Sequence, residues 1–288
     1  HHGPTWASVF VFSPAMGRVM EVHLLHPRGK SKRPRPTYYL LDGVESPESQ
    51  SNWTRYTDAV PFFADKDVNV VMPAGGRGSY YTDWRRPDPA LGTMAWETFL
   101  TAELPPLVDR ELHGNGSNVI GGLSMGGTAS AILAVRHPEL YRGIAVFSGC
   151  PDAVTPDARF VIRQSVARQG GDPDNMWGPD ADPAWLDHDP LISAVALRGK
   201  AIYLAVGSGV PGPQDLRAEG YPRYLGLAMP LESAARVCTE MFQVRLRSLG
   251  IPATYSFHST GTHAWPYWQD DLHESWPMLA AALQRPGP

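Results

Sequence analysis

A serine between two glycines is the first feature of this chain that could do chemistry. Ser124 stands in the run Gly-Leu-Ser-Met-Gly at 122–126, which matches the G-x-S-x-G motif. In enzymes that carry this motif, the serine is a nucleophile on a sharp turn between a strand and a helix. A strand-like run at 118–121 enters the motif and a helix-like run at 128–136 leaves it. This context favours a nucleophilic Ser124 over a merely structural turn.

A serine hydroxyl needs a base within hydrogen-bond reach and an acid that orients the base. With this motif, the acid and then the histidine follow the serine along the chain. Three histidines lie in or after the last strand-like run. His258 belongs to the run and His273 to a helix-like segment, whereas His263 lies on a loop just beyond the strand. We therefore predict that His263 is the base.

The acid is harder to choose, because four carboxylates separate the last two predicted strands: Asp215, Glu219, Glu232 and Glu240. Their spacing alone does not decide among them. Glu232 opens the helix-like segment 231–249, whereas Glu240 lies about two turns further on and is expected to face solvent. Position modestly favours Glu232, and the other three stay open on these grounds.

Acyl chemistry also needs an oxyanion hole of two backbone N–H groups. Met125, the residue after the nucleophile, supplies the first by its position. The second is expected from the early loop "LLDGVES", where Gly43 lets the chain turn so that the N–H of Val44 faces the substrate oxygen.

The elements that must position these groups alternate along the chain. Seven short apolar runs read as strands: 21–27, 36–43, 68–76, 117–124, 143–149, 201–208 and 253–260. Helix-like segments separate several of them, and one, 95–112, is expected to break at Pro105 and Pro106. This alternation predicts an α/β fold with a mostly parallel sheet covered on both faces. Two stretches without clean periodicity, 151–197 and 208–230, are predicted loop excursions at the carboxyl edge of the sheet.

Composition excludes several other classes of protein. The chain has 288 residues, a formal charge of −4 and a pI near 6.2. This charge does not favour binding to nucleic acid. No apolar run approaches the roughly 20 residues of a membrane span.

We expect one domain over 3–288, with His1 and His2 as a tag remnant. Cys150 and Cys238 fit no zinc or C-x-x-C spacing, so a disulfide and two buried free thiols both stay open. No metal site and no cofactor are predicted, since the adjacent ligands of "DHD" at 187–189 rarely converge on one ion.

Seven segments resemble the mycoloyltransferases of the antigen 85 type, a secreted branch of the α/β-hydrolase fold, with a corynebacterial-type member as one reading. The matching segments are "SPAMGR", "YLLDG", "VVMPAGG" with "YYTDW", "ETFLTAELP", "IGGLSMGG", "MWGPDADPAW" and "GTHAWPYW". Members transfer a mycolic acyl chain from trehalose monomycolate to trehalose or to arabinogalactan. The resemblance implies Ser124 as nucleophile, Glu232 as acid and His263 as base. It also implies oxyanion donors at Met125 and Val44.

The resemblance further implies a sugar-contacting carboxylate at Asp42 and a tryptophan beside the sugar at Trp265. This chain departs from the family just after the oxyanion loop, where "LLDGVES" places Glu45 in the position of a sugar-binding arginine. A carboxylate only accepts hydrogen bonds, whereas arginine only donates them. We therefore predict weaker or altered trehalose recognition.

The resemblance also implies a secreted or cell-envelope location, contact with envelope lipid and a monomer without cofactor or nucleic acid. Six apolar residues of the excursions are candidates for an acyl groove, with core packing equally open: Met176, Trp177, Trp185, Leu225, Leu227 and Met229. Two other functions stay open. One is a carboxylesterase of the esterase D kind, and the other is a non-catalytic sugar- or matrix-binding protein.

Overall fold

Eight strands form one mixed sheet in the computed structural model, which describes residues 2–29, 33–217 and 225–284. The strands are β1 (Trp6–Ser13), β2 (Arg18–Leu25), β3 (Arg35–Leu41), β4 (Asn69–Pro73), β5 (Gly114–Leu123), β6 (Tyr141–Phe147), β7 (Ala201–Val206) and β8 (Thr254–Phe257). Their order in the sheet is β1-β2-β4-β3-β5-β6-β7-β8. The pairs β1/β2 and β2/β4 are antiparallel, and every other pair is parallel. The carboxyl ends of β3 to β8 therefore meet at one edge.

Helices cover both faces of this sheet. They are α1 (Asn52–Tyr56), α2 (Ala59–Phe63), α3 (Trp96–Thr98), α4 (Leu104–Glu111), α5 (Met125–Arg136), α6 (Pro156–Arg168), α7 (Pro173–Trp177), α8 (Ala184–Asp187), α9 (Leu225–Ser248) and α10 (Trp265–Leu283). The β4 and β7 strands are buried along their whole length, as expected where both faces are covered. Apolar clusters fill each side of the sheet. The predicted α/β-hydrolase fold is confirmed.

The sequence missed one strand and misplaced one helix break. The missed strand is β1, an edge strand on which Phe10 and Phe12 are exposed. The break in 95–112 is a π-helical turn at Phe99–Glu103, just before α4. Pro105 and Pro106 fall in the first turn of α4, where their missing N–H groups cost nothing.

The two predicted excursions have different outcomes. The first, 151–197, holds α6, α7 and α8 and packs Met176, Trp177 and Trp185 fully into the core. Those three residues are therefore core residues and do not line a groove. Part of the second excursion, 218–224, lies outside the described residues, and Glu219 lies there. No helix among the described residues is long and apolar enough to cross a membrane.

Candidate active site

Ser124 lies on the turn between β5 and α5 with a strained backbone. Its backbone angles, a φ of 52° and a ψ of −120°, are values that residues other than glycine seldom adopt. The flanking glycines are required by close packing. A Cβ on Gly122 would lie 2.7 Å from the carbonyl carbon of Gly126, and a Cβ on Gly126 would lie 2.3 Å from the backbone carbonyl oxygen of Asp42. The G-x-S-x-G spacing thus follows from how tightly the turn packs against β3.

The structure brings Ser124, His263 and Glu232 together. The Ser124 hydroxyl donates to Nε2 of His263 over 2.8 Å, and Nδ1 of His263 donates to Oε2 of Glu232 over 2.7 Å. His263 lies on the loop between β8 and α10, and Glu232 lies on α9 with 1% exposure. Serine, imidazole and carboxylate in this order form the arrangement needed to activate a hydroxyl.

Two further donors fix the carboxylate of Glu232. Its Oε1 accepts from the Ser148 hydroxyl over 2.7 Å and from the Gly207 N–H over 2.6 Å. The Ser148 hydroxyl in turn accepts from the Trp268 indole N–H over 3.0 Å. Ser148 directly follows β6 and has a φ of 49°, which turns its side chain toward Glu232. Sequence reasoning did not single out Ser148, and its only signal was a serine after the strand run "GIAVF".

The other candidate histidines do not reach Ser124. His258 follows β8 and pairs with Asp271 over 2.7 Å. His273 lies on α10 and pairs with Asp58 over 2.7 Å. Both therefore hold α10 against its surroundings.

The other candidate acids are also accounted for among the described residues. Asp215 is buried and accepts from the Thr262 and Tyr267 hydroxyls, so it holds the loop that presents His263. Glu240 is exposed on α9, as expected, and pairs with Arg236.

The two predicted oxyanion donors flank Ser124. Met125 is the first residue of α5, and neither its N–H nor that of Val44 donates a hydrogen bond within the described part of the chain. A Cβ on Gly43 would lie 2.8 Å from Cδ1 of Leu123 and 3.8 Å from the Cβ of Ser124, so the loop that carries Val44 passes beside the nucleophile. The Val44 carbonyl accepts from the Gly78 N–H over 3.0 Å, which fixes the loop from its other side.

Asp42 and Glu45 differ sharply in exposure. Asp42 is 1% exposed, and its Oδ2 accepts from the Asn52 N–H over 2.9 Å at the start of α1. Its Oδ1 is buried without a partner in the described structure. Burial raises the pKa of this carboxyl to about 7, against the lowering effect of the Asn52 N–H. Glu45, three residues later, is exposed to solvent.

Trp265 opens α10 within a group of aromatic side chains. Its ring meets Trp53 edge-on at 5.4 Å and lies 5.3 Å from the half-exposed ring of Tyr56. The neighbouring Trp268 meets the His263 ring edge-on at 4.9 Å. These contacts give the site an aromatic wall on the side of His263.

A cavity of about 410 Å³ opens beside Ser124 between α6 and α9. Its apolar walls include Val161, Ile162, Leu231, Val237 and Met241. Of the residues predicted for an acyl groove, Leu227 and Met229 are exposed on α9, Leu225 is buried at its start, and none lines this cavity. Sequence reasoning missed the true lining because its residues come from helices that only the tertiary fold brings together.

A disulfide joins Cys150 to Cys238. Cys150 follows β6 and Cys238 lies on α9, and both line the cavity beside Ser124. The alternative of two free thiols is therefore wrong. The separation of 88 residues gave no sequence signal for the pair.

One side-chain group in the described residues has donors close enough for a metal ion: His258, Asp271 and Glu274. Its atoms are already engaged, since Asp271 accepts from His258, and Glu274 accepts from Tyr203 and Ser256. In the 187–189 run, Asp189 caps the Ala153 and Ile192 N–H groups over 2.7 Å each. Hydrogen bonding thus accounts for both groups.

Comparison with known proteins places this geometry in a family. The family model described as Esterase matches residues 13–279. The chain is 33% identical over 282 residues to diacylglycerol acyltransferase/mycolyltransferase Ag85A of Mycobacterium leprae, covering 94% of this chain and 81% of that protein. It is 34% identical over 280 residues to the Ag85A protein of Mycobacterium tuberculosis, covering 94% and 79%.

Solved structures agree. The structure matches Mycobacterium tuberculosis MPT51 (FbpC1) with a TM-score of 0.81 and 26% identity over 97% of this chain and 99% of that one. A fluorophosphonate-binding serine hydrolase of Staphylococcus aureus, FphF, has the same fold, with a TM-score of 0.72 and 16% identity over 98% of this chain and 100% of that one. The protein thus belongs to the Ag85 family of acyltransferases and mycolyltransferases, enzymes of the α/β-hydrolase fold.

Proposed function

We propose that this protein transfers a mycolic acyl chain from trehalose monomycolate to trehalose or to another cell-wall acceptor, through an acyl-enzyme on Ser124. The observation that carries the proposal is the hydrogen-bonded chain Ser124–His263–Glu232 beside an apolar cavity. Relatives at 33% and 34% identity, named diacylglycerol acyltransferase/mycolyltransferase, support the choice of acyl transfer over hydrolysis.

The first half-reaction forms the acyl-enzyme. Ser124 Oγ attacks the ester carbonyl carbon while its proton moves to Nε2 of His263, and Glu232 stabilises the imidazolium. The N–H groups of Met125 and Val44 hold the oxyanion, each donor contributing about 3 to 4 kcal/mol to transition-state stabilisation. When the intermediate collapses, the sugar oxygen leaves with the proton from His263.

The second half-reaction reverses these roles. An acceptor hydroxyl gives its proton to Nε2 of His263 and attacks the acyl carbon, and Ser124 regains its proton as it leaves. Transfer exceeds hydrolysis only where the site holds an alcohol near the acyl carbon and limits water. The aromatic group of Trp265 and the half-exposed Tyr56 supports such a site, because sugars pack on aromatic faces.

The acceptor is the least constrained part of the proposal. Exposed Glu45 replaces the arginine that the family resemblance implies, so we propose weakened or altered trehalose recognition. The net charge of −4 gives no support to a nucleic-acid partner. We also propose a single domain, a monomer and a secreted or cell-envelope location in contact with envelope lipid.

Product analysis tests the acyl transfer. The enzyme is incubated with trehalose monomycolate alone and with added trehalose, glucose or diacylglycerol, and the lipids are separated and identified. We expect a new acylated acceptor in at least one arm and its loss in Ser124→Ala. Free acid as the sole product in every arm would instead favour a carboxylesterase, and no turnover with no fluorophosphonate adduct would favour a binding protein.

A further inference from the structure

The disulfide between Cys150 and Cys238 joins α9, which carries Glu232, to the segment after β6, which carries Ser148, one of the donors to the Glu232 carboxylate. Cys238 lies on α9, six residues after Glu232, and Cys150 lies two residues after Ser148, which donates to that carboxylate. Both cysteines line the cavity beside Ser124. The disulfide thus links the helix that carries the proposed acid, Glu232, to the segment that carries its donor Ser148.

The bond lies where α9 has little apolar packing of its own. Around Glu232, the buried positions of this helix are Ala228, Ala235 and Thr239, and the nearest large buried side chains are Leu225, seven residues before Glu232, and Phe242, ten residues after it. Burying an alanine removes little apolar area from water, so these positions contribute little to holding the helix. Pro230 also removes one helical hydrogen bond just before Glu232.

Hydrogen bonds add modestly to this attachment. The Thr239 hydroxyl lies 3.3 Å from the Gly149 carbonyl, and Arg236 donates to the His258 carbonyl over 3.2 Å. Both bonds replace hydrogen bonds to water, so their net gain is small for the neutral Thr239 hydroxyl and moderate for the charged guanidinium of Arg236. The disulfide is therefore the strongest tether between the Glu232 turn of α9 and the end of β6.

We infer that the Cys150–Cys238 disulfide is a positioning pair, which keeps Glu232 in register with His263 and so sets the rate of acyl-enzyme formation. The inference rests on the serine chemistry of the proposed function. It extends that function, because two residues outside the triad control the orientation of its base through the helix that carries the acid.

The pair is opened in two ways in the full chain. One is the variant Cys150→Ala/Cys238→Ala. The other is dithiothreitol, whose two thiols give two electrons and two protons to the cystine and leave as a cyclic disulfide, with two cysteine thiols formed. Hydrolysis of p-nitrophenyl butyrate is followed at a temperature well below the unfolding transition of each form. We expect kcat to fall at least tenfold with KM changed less than threefold, and reoxidation of the reduced wild type to restore it.

A double-mutant cycle separates positioning from general destabilisation. The rate constant of fluorophosphonate labelling, which can be followed over hours for slow variants, is measured with and without the disulfide in wild type and in Glu232→Ala. Because the disulfide acts through Glu232, its removal should slow the wild type at least tenfold and Glu232→Ala less than twofold. Equal slowing in both backgrounds would overturn the inference, and so would unchanged kcat in the opened wild type.

Two controls keep the outcomes distinct. Val244→Ala, on the exposed face of α9, should leave kcat within twofold of wild type. If Ser124→Ala hydrolyses the ester at the wild-type rate, the proposed function fails. If Ser124→Ala is inactive and opening the disulfide leaves kcat unchanged, the positioning inference alone fails. If the double variant does not fold, the reduced and reoxidised wild type carries the test.

Discussion

Replacing Glu232 by glutamine tests how the carboxylate controls the histidine. The substitution keeps the size of the side chain and exchanges one oxygen for an NH₂ group. The present carboxylate accepts three hydrogen bonds, two at Oε1 from Ser148 and Gly207 and one at Oε2 from His263. A glutamine can accept at one of these two positions only.

The contacts decide which way the amide turns. With its NH₂ toward Ser148 and Gly207, it would oppose two donors at 2.7 and 2.6 Å and lose both bonds, each worth about 1.5 to 3 kcal/mol to a charged acceptor. The amide therefore keeps its oxygen there and turns its NH₂ toward His263. Nδ1 of His263 must then accept, so the ring proton moves to Nε2, which can no longer take the proton of Ser124.

The same loss of the correct tautomer lowers kcat by about 10⁴ in a serine protease triad, which equals about 5.4 kcal/mol. We expect a loss of this size for Glu232→Gln in ester hydrolysis, with little change in KM. Stopped-flow and steady-state assays with p-nitrophenyl butyrate measure both constants. The matched control is Glu240→Gln, an exposed carboxylate on the same helix, which should retain the wild-type rate. A Glu232→Gln enzyme within about tenfold of wild type would refute the proposed role of Glu232.

Three further predictions follow from contacts around the site. Ser148→Ala removes one hydrogen-bond donor to the Glu232 carboxylate and should lower kcat of ester hydrolysis about tenfold to about hundredfold. Steady-state kinetics measures kcat, and an unchanged value would show that the Ser148 contact does not support Glu232. Asp42→Asn should stabilise the fold increasingly as pH rises. Burial raises the pKa of Asp42 in the folded protein to about 7, so between about pH 4 and pH 7 its carboxyl ionises in the unfolded chain but not in the folded one, and the wild type loses stability. The asparagine variant does not titrate and keeps its stability over this range. Thermal unfolding from pH 4 to 8 checks this, and a gap of Tm between variant and wild type that does not widen would count against it. Glu45→Arg should lower KM for trehalose as acceptor without changing the rate of ester hydrolysis. In a competition assay with trehalose and glucose as acceptors, a variant with no greater preference for trehalose than the wild type would contradict this prediction.

The sequence was sufficient to predict the parts of this protein that depend on local pattern. The G-x-S-x-G motif between a strand and a helix located Ser124, and the loop after the last strand located His263. Seven of the eight strands came from short apolar runs. The edge strand β1 was missed, although its apolar run at 9–12 has the same composition as the runs that predicted the other strands.

Features that depend on long-range packing were beyond sequence reasoning. Position along the chain only modestly favoured Glu232 over Asp215, and the family resemblance supplied the choice, because the approach of α9 to the loop carrying His263 is what separates the two buried carboxylates. The Cys150–Cys238 pair bridges 88 residues, and no local signal marks such a contact. The cavity lining likewise depends on how α6 and α9 face each other across the site.

Intact-protein mass spectrometry tests the central claim most directly. The wild type and Ser124→Ala are each mixed with trehalose monomycolate, quenched in acid and weighed, with and without a later addition of acceptor. We predict that the wild type gains the mass of one mycolic acyl group, that the gain maps to Ser124, and that it disappears when acceptor is added. A wild type that turns over substrate without any acyl adduct, or an adduct of equal abundance on Ser124→Ala, would contradict the account.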